Sequence, residues 1–335
     1  MLFILNIIHV APEAPAGYHF CMKRPGISVV IVSWNTKDIT DKCLASMKKA
    51  VEKVGSKADV EVIVVENASE DGTPEMIAKK HPWVKLRPSG SDLGYGKGNN
   101  FGYRLCNTKN EYLLLLNNDA YVNEDTLVKS LEYMQNNPDC DVFGCQLKFL
   151  DGRFQPSAGF LPSPISVWSW IWGLSLIPGI KSFFKPFHPV DKDFFKNDRE
   201  VGWTMGAFLF MKMEVFKKSK GFDEKFFLYM EEVDWCRRAK EAGYKIFYTP
   251  KFWVTHVDKA SAMGKPEELA KIFRREILGF VYYLNKNYRN QSWWFVPAIK
   301  VGIALRLLVF TMLGNRMRQD AYKQTLEQFS KALSN

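Results

Sequence analysis

Three acidic residues, Glu231, Glu232 and Asp234, stand close together at the start of a segment with helical periodicity. The first turn of a helix favours negative charge, because its unpaired N–H groups carry partial positive charge. Neighbouring carboxylates also repel one another, which raises the pKa of at least one and suits it to accept a proton. An exposed, well-capped helix start gives the same pattern. The triplet therefore indicates a general base only in combination with other polar clusters.

A second polar cluster interrupts the apolar segment 111–122, EYLLLLNNDAYV, at Asn117, Asn118 and Asp119. A buried strand would deliver these side chains to its carboxyl end, and their oxygen atoms are ligands that a hard divalent cation prefers. Such a cation could bridge a diphosphate, although an Asp that follows a strand is also a common turn residue. His256 closes another strand-like segment and is either a metal ligand or a structural His.

The elements that must position these residues alternate along the chain. Continuous apolar runs predict strands at 27–34, 60–67, 84–88 and 111–122, and helical periodicity predicts helices between them. This alternation predicts an α/β fold with a doubly wound, mostly parallel sheet. Such sheets bind ligands at the carboxyl ends of their strands. Because each polar cluster follows a strand, the sequence predicts one shared site.

Composition and motif spacing exclude several functions. The net charge of +10 comes from dispersed Lys and Arg residues without a nucleic-acid-binding module, so we expect anionic lipid or phosphorylated ligands and no nucleic acid. Residues 94–102 are predicted to form a glycine- and asparagine-rich loop that leads into a helix. Its Gly96, Gly98 and Gly102 are spaced G-x-G-x-x-x-G after the third strand, which is not the dinucleotide fingerprint, and no P-loop sequence is present. This pattern disfavours an NAD-linked enzyme and a kinase. The six cysteines lack CxxC and zinc spacing, which suits a reducing compartment.

The chain divides into three parts by composition. Residues 1–26 form an N-terminal extension without a predicted role, residues 27–260 form the α/β domain, and residues 261–335 form a basic and apolar helical region. Within the α/β domain, the segment 161–180 is apolar, rich in Trp and broken by Pro, which makes it too interrupted for a clean spanning helix. Its Trp residues favour the membrane interface, and a core or lid segment is the alternative prediction.

The C-terminal segment 293–313 is long enough, at ~1.5 Å per helical residue, to cross a bilayer. Lys300 and Arg306 within it would be costly at the bilayer centre, whereas a helix that lies in the interface avoids most of that cost. We therefore predict a helix that lies on an anionic inner leaflet. A single spanning helix and a buried packing helix are the alternatives.

Several segments in order resemble motifs of the inverting family 2 glycosyltransferases of the GT-A fold, particularly of their bacterial rhamnosyltransferase-like branch. They are VIVSWN at 30–35, VVENASEDGT at 64–73, LGYGKGNNFGYR at 93–104, LNNDA at 116–120, FFLYMEEVDWCRRAKEAGY at 226–244 and THVDKAS at 255–261. The resemblance covers residues 27–261. The sequence departs from the family pattern at Glu66 and Asn117, where the family has Asp, and at Ala260, where it has Gly.

The resemblance implies a role for each matched position. Nucleotide-sugar binding is implied for Ser33, Asn35, Glu66, Asn67, Gly94, Gly98, Asn99, Asn100 and Asn118. Mg²⁺ or Mn²⁺ on the donor's diphosphate would be held by Asp119, Asn117 and His256. Glu232 would be the catalytic base, while Glu231 and Asp234 would orient it and tune its pKa, or cap the helix.

The resemblance also implies a reaction, in which a sugar moves with inversion from a nucleotide-diphosphate donor to an acceptor hydroxyl group. The branch implies rhamnose as the sugar. The basic, aromatic tail favours a lipid-linked saccharide acceptor, cell-surface polysaccharide synthesis and a peripheral place on the cytoplasmic face of the inner or plasma membrane.

Two other functions are compatible with parts of the sequence. A catalytically silent GT-A domain that binds nucleotide sugar, or acts as a membrane scaffold, is favoured by Asn117 and Glu66 but disfavoured by the intact acidic helix. A nucleotidyltransferase would share the sheet and the metal, but it needs a glycine-rich, basic segment after the first strand. This sequence lacks that segment.

Overall fold

The structure, a computed structural model, describes residues 24–174, 177, 184, 186–258 and 266–334. Its strands are β1 Gly26–Ser33, β2 Asp59–Glu66, β3 Lys85–Pro88, β4 Tyr112–Asn117, β5 Ala120–Tyr121, β6 Val142–Lys148, β7 Phe154–Gln155, β8 Ala158–Gly159, β9 Arg199–Glu200, β10 Trp203–Thr204, β11 Phe208–Lys212 and β12 Ile246–His256. Its α-helices are α1 Lys37–Val54, α2 Thr73–Lys80, α3 Gly94–Arg104, α4 Thr126–Asn136, α5 Pro164–Ile171, α6 Met213–Lys218, α7 Glu231–Glu241, α8 Pro266–Asn287, α9 Ser292–Met312 and α10 Arg316–Ser334.

Most of the strands form one sheet in the order β3-β2-β1-β4-β11-β6-β12-β5. The first four strands of this order run parallel to one another. β11 is antiparallel to both of its neighbours, β4 and β6, whereas β12 is parallel to β6. The predicted α/β fold with a mostly parallel sheet is therefore confirmed, and the predicted strand beginning at residue 111 ends where Asn117 and the polar turn begin.

Strand β1 is apolar throughout because both faces of the sheet are covered. Val29 and Ile31 pack in one core with Leu44 and Met47 of helix α1. Val30 points to the other face and belongs to a second core. A strand buried on both faces needs no alternation of polar and apolar residues, which explains the continuous β-branched run.

Helix α3 corrects the prediction that residues 94–102 form a loop, because the helix begins at Gly94. A Cβ atom on Gly98 would lie 2.9 Å from Cγ1 of Val32, and one on Gly102 would lie 2.4 Å from Cγ1 of Val30. Glycine at these positions lets the helix lie directly on β1. Low helix propensity is outweighed here by close packing between the helix and the sheet.

The C-terminal helices share a core with the sheet and helix α7. Phe280 and Tyr283 of α8 and Phe295 of α9 are buried in the same cluster as Trp235 of α7. The predicted boundary at residue 260 and the N-terminal residues 1–23 lie outside the described residues. Between residues 161 and 180, the described part includes helix α5, which packs in this core and against α9. This agrees with the prediction of a core segment.

Arg306 of helix α9 has a specific intramolecular role. Its guanidinium donates to the carbonyl oxygens of Trp170 and Ile171 at 2.7 and 2.5 Å. These groups are at the C-terminal end of α5, where carbonyls have no partner within the helix. Arg306 therefore caps α5 and does not place a bare charge on the outer face of α9.

Candidate active site

The turn after β4 and the end of β12 bring the predicted metal ligands together. β12 pairs with β5, so that His256 lies opposite Ala120. Nε2 of His256 lies 3.2 Å from Oδ1 of Asp119 and 3.4 Å from Nδ2 of Asn117. Asp119 and His256 are both nearly buried. Asp119 and His256, which are 137 positions apart in sequence, thus belong to one polar cluster.

Three features of this cluster fit a divalent cation. Nδ1 of His256 donates to Oε1 of Gln155 at 3.1 Å, which in the neutral imidazole leaves the lone pair of Nε2 directed at Asp119. Oδ1 of Asn117 is buried without a hydrogen-bond partner among the described residues. A carboxylate, an amide oxygen and an imidazole form a donor set that suits Mg²⁺ or Mn²⁺.

The protein side of such a site is incomplete by itself. The described residues contain no group of three or more His, Cys, Asp and Glu side chains that could hold a metal ion. Asp119, His256 and Asn117 would leave coordination positions for ligand oxygens, as expected where a cation bridges a protein and a diphosphate. Gln155, which fixes the His256 ring, was not predicted, since nothing in its local sequence marks it.

The acidic pair enters the site from the start of helix α7. Tyr229 and Met230, just before the helix, have φ angles of +70° and +75°. Residues other than glycine rarely adopt this left-handed conformation, and it is often found where strain positions a functional group. Glu231 is 2% exposed, whereas the neighbouring Glu232 is partly exposed.

Burial separates the titration of the two glutamates. It raises the pKa of Glu232 to about 7, against the opposing effect of backbone N–H groups that include that of Gly206. The pKa of Glu231 is raised well above its usual range by burial and by the charge of Glu232. Burial of Glu231 therefore favours its protonated form, whereas Glu232 exchanges a proton near neutral pH. A general base must be able to accept a proton near neutral pH, and Glu232 meets this requirement.

Asp234 is not part of this arrangement. Its Oδ2 atom lies 2.9 Å from both Nε of Arg238 and Nζ of Lys286, and its side chain is fully buried. Lys286 of α8 also binds Asp223 at 2.7 Å. Asp234 thus joins α7 to α8 and does not line the cleft, which corrects the prediction that it orients Glu232 directly.

The polar cluster of Asn117, Asp119 and His256 and the acidic pair Glu231–Glu232 line the same cleft, which has a volume of about 250 Å³. The predicted residues that line it are Asn67, Gly94, Asn117, Asn118, Asp119, Glu231, Glu232 and His256. Nδ2 of Asn67 donates to the carbonyl oxygen of Gly94, and Nδ2 of Asn118 donates to the hydroxyl of Thr36. The carboxyl ends of β1, β2 and β4 therefore form one wall of the cleft.

Other predicted nucleotide-sugar residues support this wall from behind. Asn35, with φ at +47°, accepts from the backbone N–H of Glu70 at 2.8 Å. The Glu66 carboxylate accepts from the N–H of Ser69 at 2.9 Å, and the Ser33 hydroxyl lies 3.1 Å from that of Thr40. These contacts join the loops after β1 and β2, so direct ligand contact by Ser33, Asn35 and Glu66 stays a prediction.

The predicted residues of α3 have packing roles. Asn99 donates to the carbonyl oxygen of Tyr95, while Asn100 exchanges hydrogen bonds with the backbone of Phe222. Both side chains are buried, and Gly98 lies against β1. None of these three residues lines the cleft. Nucleotide-sugar binding by Gly98, Asn99 and Asn100 therefore receives no support from their positions.

The opposite wall of the cleft contains residues that the sequence did not indicate. Tyr95 donates its hydroxyl to the carbonyl oxygen of Gly206 at 2.8 Å, and a Cβ on Gly206 would lie 2.4 Å from that hydroxyl. Helix α8 contributes Glu268, Ile272 and Arg275. The residues of α8 reach the cleft only through tertiary packing.

Comparison with known proteins gives one family and several relatives. Residues 28–235 match Glycosyl transferase family 2. The N-acetylglucosaminyl-diphospho-decaprenol L-rhamnosyltransferase of Mycobacterium tuberculosis is 26% identical over 315 residues, which cover 88% of this chain and 96% of that protein. Rhamnosyltransferase WbbL of Escherichia coli is 22% identical over 241 residues, which cover 69% and 83% of the two chains.

A solved structure has a related fold. It is the mannosyltransferase PcManGT from Pyrobaculum calidifontis in complex with GDP-Man and Mn²⁺. The two structures superpose with a TM-score of 0.53 at 16% sequence identity, over 91% of this chain and 87% of that one. At this identity the similarity concerns the fold and not the ligands.

Proposed function

The chain belongs to glycosyl transferase family 2, and from that premise we propose that it transfers rhamnose from a nucleotide-diphosphate donor to a lipid-linked saccharide. The sugar and the acceptor class are supported by the two rhamnosyltransferases that it resembles, one of which is named for a diphospho-decaprenol substrate. The observation that supports this proposal most directly is that Asp119 and Glu232 line one cleft. Family membership with an intact acidic pair disfavours the silent-domain alternative.

On the donor side, Asp119, Asn117 and His256 would hold Mg²⁺ or Mn²⁺, which when bound neutralises charge on the departing diphosphate. Asp119 is the only acidic residue among these three. Gln155 fixes the imidazole of His256 in the orientation that presents Nε2. Asn67 and Gly94, which are bonded to each other across the same wall, would contact the nucleotide.

On the acceptor side, Glu232 removes the proton from a hydroxyl group of the saccharide. The hydroxyl oxygen forms a bond to the anomeric carbon while the bond from that carbon to the diphosphate oxygen breaks on the opposite face. The electron pair of the broken bond leaves with the nucleoside diphosphate, and the configuration inverts. Burial raises the pKa of the neighbouring Glu231, which favours its neutral form over a role as the base.

The pH dependence of transfer follows from the raised pKa of Glu232. The base is active when it is deprotonated, so kcat/KM should rise through about pH 7 and level off above it. Below that value, each pH unit should lower kcat/KM by about tenfold. The measurement is steady-state transfer between pH 5.5 and 8.5, with donor affinity measured in parallel as the control. A flat profile across pH 7 would exclude Glu232 as the titrating group.

The test of the proposed donor is a screen that detects released nucleoside diphosphate. Deoxythymidine diphosphate-rhamnose is compared with GDP-mannose and UDP-N-acetylglucosamine, each with and without a saccharide acceptor. We expect acceptor-dependent release with the rhamnose donor at least about tenfold above the other two. Equal or greater turnover of another donor would contradict the proposed specificity while leaving the enzyme class intact.

We also place the protein peripherally on the cytoplasmic face of the plasma membrane. Within the described residues, one helical stretch, Arg289–Met312, is long and apolar enough to cross a membrane. Its exposed large apolar residues include Trp293, Val301, Leu305, Leu308 and Met312, which we call the apolar stripe. Lys300 is also exposed. Phe295, Ile299 and Ile303 on the opposite face are buried. The described cysteines are free thiols, a state typical of the reducing cytoplasm.

The packing of α9 favours an interfacial position over a spanning one. α9 packs along α5 and α10, and α10 carries many charged residues, including Arg316, Arg318 and Lys323. A spanning α9 would draw α10 into hydrocarbon, at a cost of several kcal/mol for its charges. A helix that buries only the apolar stripe avoids this cost.

Substitutions that introduce acidic residues into the apolar stripe should weaken binding of the protein to membranes. Leu305→Glu combined with Leu308→Glu is expected to lower binding to anionic vesicles at least about tenfold, because both side chains would have to enter the acyl region. Sedimentation with vesicles measures the loss. The matched control is Leu150→Glu with Val190→Glu, two side chains that are 61% and 74% exposed and lie outside the stripe. Equal loss in both variants would contradict a specific membrane-facing stripe.

A further inference from the structure

A second cavity lies beside the cleft, between the segment that precedes α7 and the helices α8 and α10. It has a volume of about 230 Å³. Lys225, Arg275 and Lys331 line it, and no acidic side chain is among its lining residues in the described chain. Its remaining wall is largely apolar, with Phe226, Phe227, Leu228, Leu278 and Ala332. We call it the basic cavity.

The charge of the basic cavity is opposite to that of the cleft. Asp119, Glu232, Asp258 and Glu268 line the cleft. A phosphate group that entered the cleft without a cation would be repelled by these carboxylates. A diphosphate attached to the acceptor is therefore better accommodated in the neighbouring cavity, whose lining is cationic and apolar without an acidic side chain among the described residues.

The two spaces adjoin, because Phe227, Leu228, Tyr229 and Arg275 line both of them. Tyr229 lies two residues before Glu231 in sequence. A Cβ on Gly279 would lie 3.2 Å from the carbonyl oxygen of Tyr229, so α8 closely approaches this segment. The basic cavity therefore lies next to the cleft that contains Glu232.

Arg275 is suited to bind an anion at this junction. Its guanidinium lies 4.3 Å from the centre of the Phe227 ring, which fixes its position. Burial lowers the pKa of Arg275, and the charge of Arg274 adds to this effect. A cation that has lost part of its hydration gains more from a bound anion than an exposed one does.

We propose that the basic cavity binds the diphosphate of the lipid-linked acceptor, with the first isoprenoid units against its apolar wall and the saccharide extending to Glu232. The inference rests on the proposed function and specifies how its acceptor is held. α10, which lines the cavity, also packs along α9. The cavity and the apolar stripe are thus carried by two helices that pack on each other.

Lys225 and Lys331 provide the test, because they line the basic cavity and not the cleft. Both residues are exposed, so Lys225→Gln with Lys331→Gln should leave the fold intact. Transfer by the full chain is measured with one saccharide carried either on a short prenyl diphosphate or on a neutral alkyl glycoside. We expect kcat/KM to fall at least about tenfold with the diphosphate acceptor and less than about twofold with the neutral one.

The matched control is Lys217→Gln with Lys323→Gln, which removes the same charge from exposed positions outside both spaces. Equal effects of the two double variants, or equal losses with the two acceptors, would overturn the inference. Sedimentation with anionic phospholipid vesicles tests whether the cavity binds the phosphate of membrane headgroups instead. If the cavity variant lost vesicle binding and the control did not, the cavity would bind membrane headgroups, and the inference would be wrong.

Binding of a short prenyl diphosphate, measured by calorimetry, tests the inference without any transfer. The cavity variant should bind this probe at least about tenfold more weakly than the unsubstituted chain, and unchanged affinity would overturn the inference. If the unsubstituted chain bound the probe in this way but transferred sugar to neither acceptor, the proposed function would fail while the cavity assignment stood.

Discussion

Replacement of Glu232 by Gln is expected to lower kcat of transfer by roughly 10²- to 10⁴-fold, the range for loss of a general base. Glutamine keeps the size and the partial exposure of the side chain but cannot accept the proton. Steady-state transfer with saturating donor measures the effect. Substantial residual turnover would show that another group takes the proton.

The neighbouring glutamate supplies the control for this prediction. Glu231 is buried, and burial raises its pKa well above the usual range, so Glu231→Gln keeps the shape of the side chain and its favoured neutral state. We expect its effect on kcat to be at least about tenfold smaller than that of Glu232→Gln. If the two variants lost equal activity, the division of roles between the two carboxyl groups would be wrong.

Replacement of Asp119 by Ala is expected to have the second large effect, at the other side of the cleft. It removes the one carboxylate of the predicted cation site and leaves His256 and Asn117. The Mn²⁺ concentration needed for half-maximal transfer should rise by about 10- to 100-fold or more. Titration of transfer with Mn²⁺ after removal of bound metal by a chelator measures the shift.

Asp119→Asn provides a matched variant that keeps the shape and an oxygen ligand while it removes the charge. We expect it to be intermediate between the unsubstituted chain and Asp119→Ala. Transfer with an unchanged metal requirement in both variants would exclude Asp119 as a cation ligand.

The main features of the fold and half of the site were predictable for simple physical reasons. Apolar runs such as 27–34 identify strands that are buried on both faces. Because parallel strands end at one edge of the sheet, polar residues after them meet there. This rule alone predicts that Asn67, Asn117 and Asp119 share a wall, as observed.

Helical geometry also explains why Asp234 was wrongly placed beside the base. Successive helical residues are about 100° apart, so Asp234 lies about 200° around α7 from Glu232. It therefore faces α8, where Lys286 binds it together with Arg238 of α7 itself. Adjacency in sequence suggested one acidic cluster, whereas the helix divides it between two faces.

The glycine- and asparagine-rich segment 94–102, which is helical, was predicted as a loop for a different reason. Glycine is common both in phosphate-binding loops and where a helix approaches a sheet closely. Gly98 and Gly102 belong to the second case, and the side chain of Asn100 binds the backbone of Phe222. Only the partner surfaces, which local sequence does not contain, distinguish the two.

Residues of α8 could not be predicted at all, because they reach the cleft from the far end of the chain. Arg275 and Ile272 follow the last family motif and belong to a helix with ordinary periodicity. Their position depends on how α8 packs against α7 and the segment around Tyr229. The sequence of α8 identifies a helix but not the surface that it covers.

The central claim is that the donor's diphosphate is held at Asp119 and the acceptor is activated at Glu232, within one cleft. Donor affinity in the presence of Mn²⁺, measured by calorimetry on the unsubstituted chain, Glu232→Gln and Asp119→Ala, tests it most directly. We expect the affinity of Glu232→Gln to stay within about twofold and that of Asp119→Ala to fall at least about tenfold. Equal affinities in all three proteins, or an equal loss in both variants, would contradict the claim.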